Sequence, residues 1–189
     1  MKNKLALFDL DGTLFDTRNV NYHSYRQALE ELGYTLDYKY FCDKCNGRLY
    51  REFLPEITDG KEETLKKIHD RKKELYSSYL TKAIANNHLF NIARLIRDEY
   101  YLAVVTTASK KNTYEILNHF GYLDMFDLVL THEDITNVKP DPEGFVKAMK
   151  YFNISSEDTI IFEDSTVGIE AARRSKANVF AINTFGKGV

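Results

Sequence analysis

The sequence is poor in cysteine and has no marked excess of charge of one sign. Its two cysteines, Cys42 and Cys45, stand in the segment FCDKCNG, where a C-x-x-C spacing is compatible with a redox pair or half of a zinc site. Zinc would need two further ligands, and the sequence contains no second C-x-x-C and no H-x-x-x-H. We therefore expect two thiols on a helix of a cytoplasmic protein.

Other absences exclude further classes of protein. The formal net charge of -2 gives no electrostatic reason to expect a nucleic acid or a membrane surface as a partner. No apolar run approaches the roughly 18 residues that a membrane-spanning helix needs. No G-x-x-x-x-G-K-[ST] loop is present, which argues against a nucleoside triphosphate bound by a P-loop.

Five short apolar runs, each bounded by polar or turn residues, predict β-strands. Because these runs are continuous rather than alternating, they are typical of strands covered on both faces, as in a parallel sheet. Helical stretches separate the last four runs, which predicts an α/β core with a doubly wound parallel sheet. The runs are residues 4–10, 101–107, 126–132, 158–164 and 177–183.

Residues 16–86 contain no convincing strand and instead show helical periodicity. A chain of 189 residues is long enough for one packed domain with an insertion of this size. We therefore predict an α/β core formed by residues 1–15 and 87–189, and a helical domain formed by residues 16–86. Asp37 and residues 55–60 are expected to separate helices within that insertion.

Polar side chains stand at the ends of four of the five predicted strands. Since the carboxyl ends of parallel strands share one edge of the sheet, these side chains are expected to meet there. Side chains at positions i and i+2 of a strand face the same way, so Asp9 and Asp11 are expected to address one substrate. Gly12 then allows a sharp turn beside it. The polar ends are Asp9 with Asp11, Thr106 with Thr107, Thr131 with His132, and Glu163 with Asp164.

Several acids at one edge need a cation. Lys139, in VKPDP, supplies one positive charge, and the hard oxygen ligands favour Mg²⁺ as the other. A divalent ion, a lysine and a threonine hydroxyl together suit a phosphoryl group, whose negative charge must be offset before an anionic nucleophile approaches.

Four segments taken in order resemble the motifs of the haloacid dehalogenase superfamily: DLDGTLFDT, VVTT, KPDP and FEDSTVGIEAA. The helical insertion after the first motif resembles the branch that includes phosphoglycolate phosphatase and β-phosphoglucomutase. The resemblance covers nearly the whole chain. It implies a Rossmann-like core with a parallel five-stranded sheet and an inserted helical cap domain.

The resemblance also implies roles for individual residues. Asp9 would be the nucleophile that forms an aspartyl-phosphate, and Asp11 the general acid and base. Thr106 would donate a hydrogen bond to a phosphoryl oxygen, and Lys139 would offset the charge between that group and Asp9. Mg²⁺ would be bound by Asp9, the backbone carbonyl of Asp11 and Asp164, with Glu163 close by or acting through water.

Some of these residues also have purely structural interpretations. Asp164 and Thr107 stand where each would cap a following helix, and Lys139 would be an ordinary solvated lysine. Thr107 and Gly12 are nevertheless kept as candidate substrate-binding residues.

The segment CNGRLYREF resembles the cap loop that contacts substrates in this branch, which makes Arg48, Tyr50 and Arg51 candidates for substrate binding. The alternative is a helix N-terminus with exposed arginines.

The sequence therefore predicts a Mg²⁺-dependent phosphatase, cytoplasmic and monomeric or weakly dimeric, that acts on a small phosphorylated metabolite. No nucleic acid and no membrane are expected as partners. A sugar phosphomutase with the same nucleophile is the nearest alternative, and a phosphate-ligand sensor without turnover is a more distant one. A dehalogenase would not need Asp11, because no leaving oxygen has to be protonated.

Overall fold

The computed structural model describes residues 2–183 and residue 185. These residues divide into two compact units. The α/β unit comprises residues 2–16, 84–183 and 185, and the helical unit comprises residues 17–83. Residues 1, 184 and 186–189, which the sequence assigns to the core, lie outside the described residues.

Strands belong to the α/β unit. In chain order they are β1 (Lys4–Phe8), β2 (Phe15–Asp16), β3 (Ile84–Ala85), β4 (Tyr100–Val105), β5 (Leu128–Leu130), β6 (Thr159–Glu163) and β7 (Asn178–Ala181). Within the described residues, the main sheet has five strands in the order β5-β4-β1-β6-β7, and every neighbouring pair is parallel. The predicted α/β fold with a five-stranded parallel sheet is confirmed.

Helices are found in both units. The helical unit contains α1 (Arg18–Glu30), α2 (Tyr38–Tyr40), α3 (Tyr50–Phe53) and α4 (Glu62–Leu75). The α/β unit contains α5 (Asn87–Ile96), α6 (Lys110–His119), α7 (Glu143–Phe152) and α8 (Thr166–Arg174). No helix among the described residues is both long enough and apolar enough to span a bilayer.

The central strand β1 is buried on both faces, which explains its unbroken apolar run. Leu5, Leu7 and Phe8 have no exposed surface. Leu5 and Leu7 pack with residues of α7 and α8 in one core cluster, which includes Phe145 and Ala171. Burial of this apolar surface is the main force that holds β1 in the middle of the sheet.

The strands end earlier than the apolar runs suggested. β1 ends at Phe8 and β4 at Val105, so Asp9, Asp11 and Thr106 lie beyond their strands. The prediction that Asp9 and Asp11 face one way through strand alternation is therefore wrong in its reasoning. A turn after β1, described below, sets their positions instead.

A two-stranded ribbon was missed. Phe15 pairs with Ala85, and Asp16 with Ile84, in an antiparallel ladder where the chain leaves and re-enters the α/β unit. Residues 16–86 were predicted to contain no strand, but Asp16 and Ile84–Ala85 are extended. Two residues on each side are too few to produce a periodic pattern.

The helical unit has its own aromatic core. Tyr25, Phe41, Phe53 and Ile68 belong to one cluster of buried residues, and Asp37 caps α2 by accepting a hydrogen bond from the backbone N–H of Tyr40 at 2.8 Å. The two cysteines lie on a π-helical turn, Phe41–Cys45, as free thiols. Burial raises the pKa of the Cys45 thiol to about 11, which favours the unreactive protonated form.

Candidate active site

Asp9 is the first residue after β1 and is buried, with 7% of its surface exposed. Its backbone N–H donates to the carbonyl of Phe162 at 3.0 Å, so the ladder with β6 continues one residue beyond the strand. The chain then turns, with the backbone N–H groups of Leu14 and Phe15 both donating to the carbonyl of Leu10 at 3.0 Å. Asp9 therefore lies between the end of the ladder with β6 and this turn.

Lys139 contacts the two acids that flank it. Its Nζ donates to Oδ1 of Asp9 at 2.5 Å, to Oε2 of Glu163 at 2.6 Å and to the carbonyl of Val105 at 3.3 Å. Only 8% of the lysine side chain is exposed. The interpretation of Lys139 as a solvated lysine is therefore wrong, and the ammonium group joins loops after β1, β5 and β6.

Glu163, at the end of β6, has protein donors on both carboxylate oxygens. Oε2 accepts from Lys139, while Oε1 accepts from the backbone N–H groups of Asp164 and Ser165 and from the Ser165 hydroxyl, each at 3.0 Å. Gly168 provides the space, because a Cβ there would lie 2.0 Å from Cδ of Glu163. The carboxylate is thus held in place, because both of its oxygens accept hydrogen bonds from the protein.

Asp164 is partly buried, and the loop after β1 contacts its side chain. The hydroxyl of Thr13 donates to Oδ1 of Asp164 at 2.8 Å. Gly12 has a φ of +92°, and a Cβ at that position would lie 2.2 Å from Oδ2 of Asp164. Glycine is needed here both for its left-handed conformation and for the close approach of the carboxylate.

Asp164 does not cap α8. The N-cap is Ser165, whose hydroxyl oxygen accepts from the backbone N–H of Gly168 at 3.0 Å. The interpretation of Asp164 as a helix cap is therefore wrong, and its carboxylate remains part of the acidic cluster.

The two threonines after β4 differ in burial. Thr106 is 2% exposed, and its Oγ1 accepts from the backbone N–H of Ala108 at 3.0 Å, so its hydroxyl proton is available to donate. Thr106 and Lys139 line the same small cavity. Thr107 is exposed, and the cap of α6 is Ser109 rather than Thr107.

Asp11 lies in the turn, where it forms an isolated bridge with Phe15. Its side chain is partly exposed, and its negative charge contributes to the raised pKa of Asp164. Asp11 is therefore electrostatically part of the same acidic cluster.

Burial and mutual repulsion dominate the electrostatics of the cluster. Burial and then the charge of Glu163 raise the pKa of Asp9 well above its usual range, although Lys139 acts in the opposite direction. Burial, together with the charge of Glu163, raises the pKa of Asp164 to about 6 despite the hydrogen bond from Thr13. Burial lowers the pKa of Lys139, but attraction to Asp9 and Glu163 outweighs it and holds that pKa above its ordinary value.

This charge balance tests whether the residues suit a metal ion. Carboxylate oxygens of Asp9, Glu163 and Asp164 lie within 4.8 Å of one another, and Lys139 contributes one positive charge to these three of the cluster's four acids, in contact with Asp9 and Glu163. Oxygen donors with an excess of negative charge are what hard divalent cations prefer. Since the Glu163 oxygens already have donors, Asp9 and Asp164 are the better placed ligands.

The candidate residues of the helical unit make contacts within that unit. Arg48 donates to the carbonyl of Lys44 at 2.7 Å and to Glu56 at 3.0 Å, and Arg51 donates to Glu62 at 2.7 Å. The ring of Tyr50 is stacked on His69, with centroids 4.0 Å apart.

Thr13, Ser165 and Gly168 were not singled out from the sequence as functional residues. Ser165 stands two positions after Glu163, where a hydroxyl residue is usually a turn or cap residue, and Thr13 contacts Asp164 only through the fold, because the two are 151 positions apart in sequence. Gly168 stands five positions after Glu163, and only the fold brings its missing side chain against that carboxylate.

A model of haloacid dehalogenase-like hydrolases matches residues 6–182, which is nearly the whole chain and spans every element of the site. The chain belongs to this family. The predicted family is thus confirmed, and its four motifs coincide with the loops after β1, β4, β5 and β6 that form the cluster.

Individual members of the haloacid dehalogenase-like family extend the comparison. A phosphorylated carbohydrates phosphatase from Thermotoga maritima is 30% identical over 176 residues, which cover 89% of this chain and 79% of that protein. A β-phosphoglucomutase from Clostridium difficile has a TM-score of 0.77 and 25% identity, with 98% of this chain and 86% of that one covered. CbbY from Rhodobacter sphaeroides, solved in complex with phosphate, shares the fold at a TM-score of 0.81 and 21% identity over 95% and 85% of the two chains. The prediction of a phosphatase-type hydrolase is confirmed.

Proposed function

We propose that this protein is a Mg²⁺-dependent phosphatase that hydrolyses a small phosphorylated metabolite through an intermediate on Asp9. The observation that carries the proposal is the buried carboxylate of Asp9, held by Lys139 at 2.5 Å beside an acidic cluster at the carboxyl edge of the sheet. The similarity to a phosphorylated carbohydrates phosphatase supports a sugar phosphate as the substrate class.

In the first step, a carboxylate oxygen of Asp9 attacks phosphorus. The new P–O bond to Asp9 forms while the P–O bond to the leaving group breaks, and Asp11 gives its proton to the leaving oxygen. Lys139 offsets the negative charge that develops between Asp9 and the phosphoryl oxygens. Thr106 donates its hydroxyl proton to one of those oxygens, and Thr107 and Gly12 are proposed to line the same site.

In the second step, water attacks phosphorus and the bond from phosphorus to Asp9 breaks. Asp11, now ionised, accepts a proton from the attacking water, so that inorganic phosphate leaves and both aspartates return to their starting states. Asp11 suits this double role because it is partly exposed, so that water has access to it.

The carboxylates of Asp9 and Asp164 and the backbone carbonyl of Asp11 would hold the metal ion. When bound, a divalent cation neutralises charge on Asp9 and on the phosphoryl group, which a single lysine does not fully offset. Glu163 is proposed to act through Lys139, since its two oxygens already have donors in the protein.

A panel of phosphorylated carbohydrates and an aryl phosphate, assayed with Mg²⁺ and with EDTA, tests the proposal. We expect release of inorganic phosphate from at least one member with Mg²⁺, and none with EDTA. Release that EDTA leaves unchanged would contradict metal dependence, and no release from any member would contradict the phosphatase.

The same panel addresses the alternative of a phosphomutase, which the similarity to a β-phosphoglucomutase supports. A mutase would convert one sugar phosphate into its isomer, would need a bisphosphate activator and would release little inorganic phosphate. A hydrolase needs no such activator, so omission of the bisphosphate separates the two functions.

Thr13→Val is expected to raise the Mg²⁺ concentration for half-maximal activity by roughly 10-fold to 100-fold. The two side chains are nearly isosteric, and Thr13 is fully buried, so the main change is loss of the hydrogen bond to Asp164. A Mg²⁺ titration of phosphate release measures the effect. Thr113→Val is the matched control, because Thr113 is equally buried but donates to the carbonyl of Ser109. An unchanged titration curve for Thr13→Val would show that Thr13 does not position Asp164.

Arg48, Tyr50 and Arg51 remain proposed substrate contacts. Their positive charge and aromatic surface suit the polar part of a phosphorylated carbohydrate. Arg48 now donates to Glu56 and Arg51 to Glu62, so either arginine would exchange a carboxylate for the substrate on binding.

A further inference from the structure

Lys139 belongs to the loop between β5 and α7. Its side chain reaches the cluster from this loop, while its ammonium group must lie within hydrogen-bond distance of both Asp9 and Glu163. A loop that carries a group with such narrow positional tolerance needs its own restraint.

Glu143, the first residue of α7, supplies contacts that restrain the loop. Its Oε1 accepts from the backbone N–H of Thr136 at 2.8 Å. Its Oε2 accepts from the backbone N–H of Asn137 at 2.8 Å and from the side-chain amide of Asn137 at 3.0 Å. These bonds close residues 136–143 into a ring that contains Lys139, and they hold the pKa of Glu143 below its usual value.

The helix end that carries Glu143 is itself fixed to the sheet. Gly144 permits close contact with β4, since a Cβ there would lie 2.8 Å from Cγ1 of Val105. Phe145 is 1% exposed and lies in the main core cluster. The carbonyl of Val105 also accepts a hydrogen bond from Lys139, so the same residue of β4 contacts both α7 and the lysine.

We propose that Glu143 is a positioning residue that sets the location of the Lys139 ammonium group. The inference rests on the proposed function, in which Lys139 offsets charge at the reacting phosphoryl group. Glu143 touches no reacting atom in this account. It acts by holding the loop on which Lys139 lies.

The competing interpretation is that Glu143 only stabilises α7, because an acidic residue in the first turn interacts favourably with the helix dipole. A purely structural role predicts a change in stability and no change in the environment of Lys139. A positioning role predicts that Lys139 becomes more accessible while the protein stays folded.

The test compares Glu143→Gln and Glu143→Asp with the control Glu99→Gln. Glutamine keeps the length of the side chain but turns an NH₂ group toward a backbone donor, so at least one bond is lost. Aspartate keeps both acceptor oxygens on a shorter side chain. Glu99 is an exposed acid in the turn before β4 whose carboxylate contacts Lys4 at 3.5 Å, so its substitution removes one charge away from the Lys139 loop.

Two measurements are made on the full chain. The first is the rate at which an acylating reagent modifies the Lys139 amine, followed by mass spectrometry with the exposed Lys150 as an internal reference. The second is kcat and KM for phosphate release from the best substrate of the panel. Circular dichroism confirms that each variant is folded.

Glu143→Gln is expected to accelerate modification of Lys139 and to lower kcat by about 10-fold to 100-fold, with a smaller change in KM. Glu143→Asp should restore part of the protection of Lys139 and part of kcat, and Glu99→Gln should match the wild type in both. Unchanged modification of Lys139 in folded Glu143→Gln would overturn the proposal, whatever happens to kcat. Because the modification rate needs no substrate, a wild-type protein without phosphatase activity would contradict the proposed function and still leave this inference tested.

Discussion

Asp9→Asn is expected to lower kcat for phosphate release on the order of 10⁴-fold or more, since an amide does not replace the carboxylate as nucleophile. The fold should survive the change. The asparagine oxygen still accepts from Lys139, and the substitution removes a buried charge whose ionisation burial, Glu163 and Asp164 all oppose.

The melting temperature of Asp9→Asn is therefore expected to equal or exceed that of the wild type. A catalytic group held at the expense of stability has this signature, because evolution retains the strained charge for its reactivity. Asp98→Asn serves as the matched control. It removes an exposed aspartate in the turn before β4 and should change neither activity nor melting temperature.

Lys139→Gln should reduce both activity and stability. The ammonium group is the positive partner of two carboxylates that are themselves buried, with Asp9 and Glu163 at 2.5 and 2.6 Å. Removing one partner of a buried ion pair leaves an uncompensated charge, which typically costs about 3–5 kcal/mol. Denaturant unfolding in the presence of EDTA measures the loss without interference from metal ions.

The loss of stability in Lys139→Gln should increase as pH rises. Without Lys139, the pKa of Asp9 is expected to rise further, so the folded variant binds a proton that the unfolded chain releases. Stability is then greatest below the unfolded pKa of Asp9 and falls as pH rises through the folded pKa. As pH rises from the unfolded pKa of Asp9 toward its raised folded pKa, Lys139→Gln should lose stability more steeply than the wild type.

The double variant Lys139→Gln/Glu163→Gln separates the two effects of the lysine. Removing one of the two acids as well relieves the repulsion, so stability should recover in part. Activity should not recover, because no cation lies beside Asp9. Equal activity in Lys139→Gln and the wild type would contradict the role of Lys139, and full recovery of activity in the double variant would contradict it as well.

The positions of the five strands of the main sheet and the family could be predicted from the sequence because both depend on local patterns. Continuous apolar runs report burial on both faces, and β1 is indeed fully buried in the middle of the sheet. Four short motifs at the ends of such runs identified the acids and Lys139, which the fold then gathers into one cluster.

The contacts that hold Glu163 and the Lys139 loop in place could not be predicted from local sequence patterns. Glu163 accepts a hydrogen bond from Ser165 and fits where Gly168 has no side chain. Glu143 contacts residues six and seven positions before it, in the loop that carries Lys139. Nothing in the residue types alone says that a glycine makes room for a particular carboxylate. The turn at Gly12 was predicted, but its start directly after Phe8 was missed, because the predicted strand extended to Leu10.

The most direct test of the central claim is detection of a phosphoryl group on Asp9 during turnover. Protein mixed with its substrate and Mg²⁺ is quenched in acid, digested and examined by mass spectrometry for the peptide that contains Asp9. The account predicts that this peptide gains the mass of one phosphoryl group at Asp9, and that Asp9→Asn shows no such gain. Steady release of phosphate by the wild type with no modified Asp9 at any quench time, together with activity retained in Asp9→Asn, would contradict it.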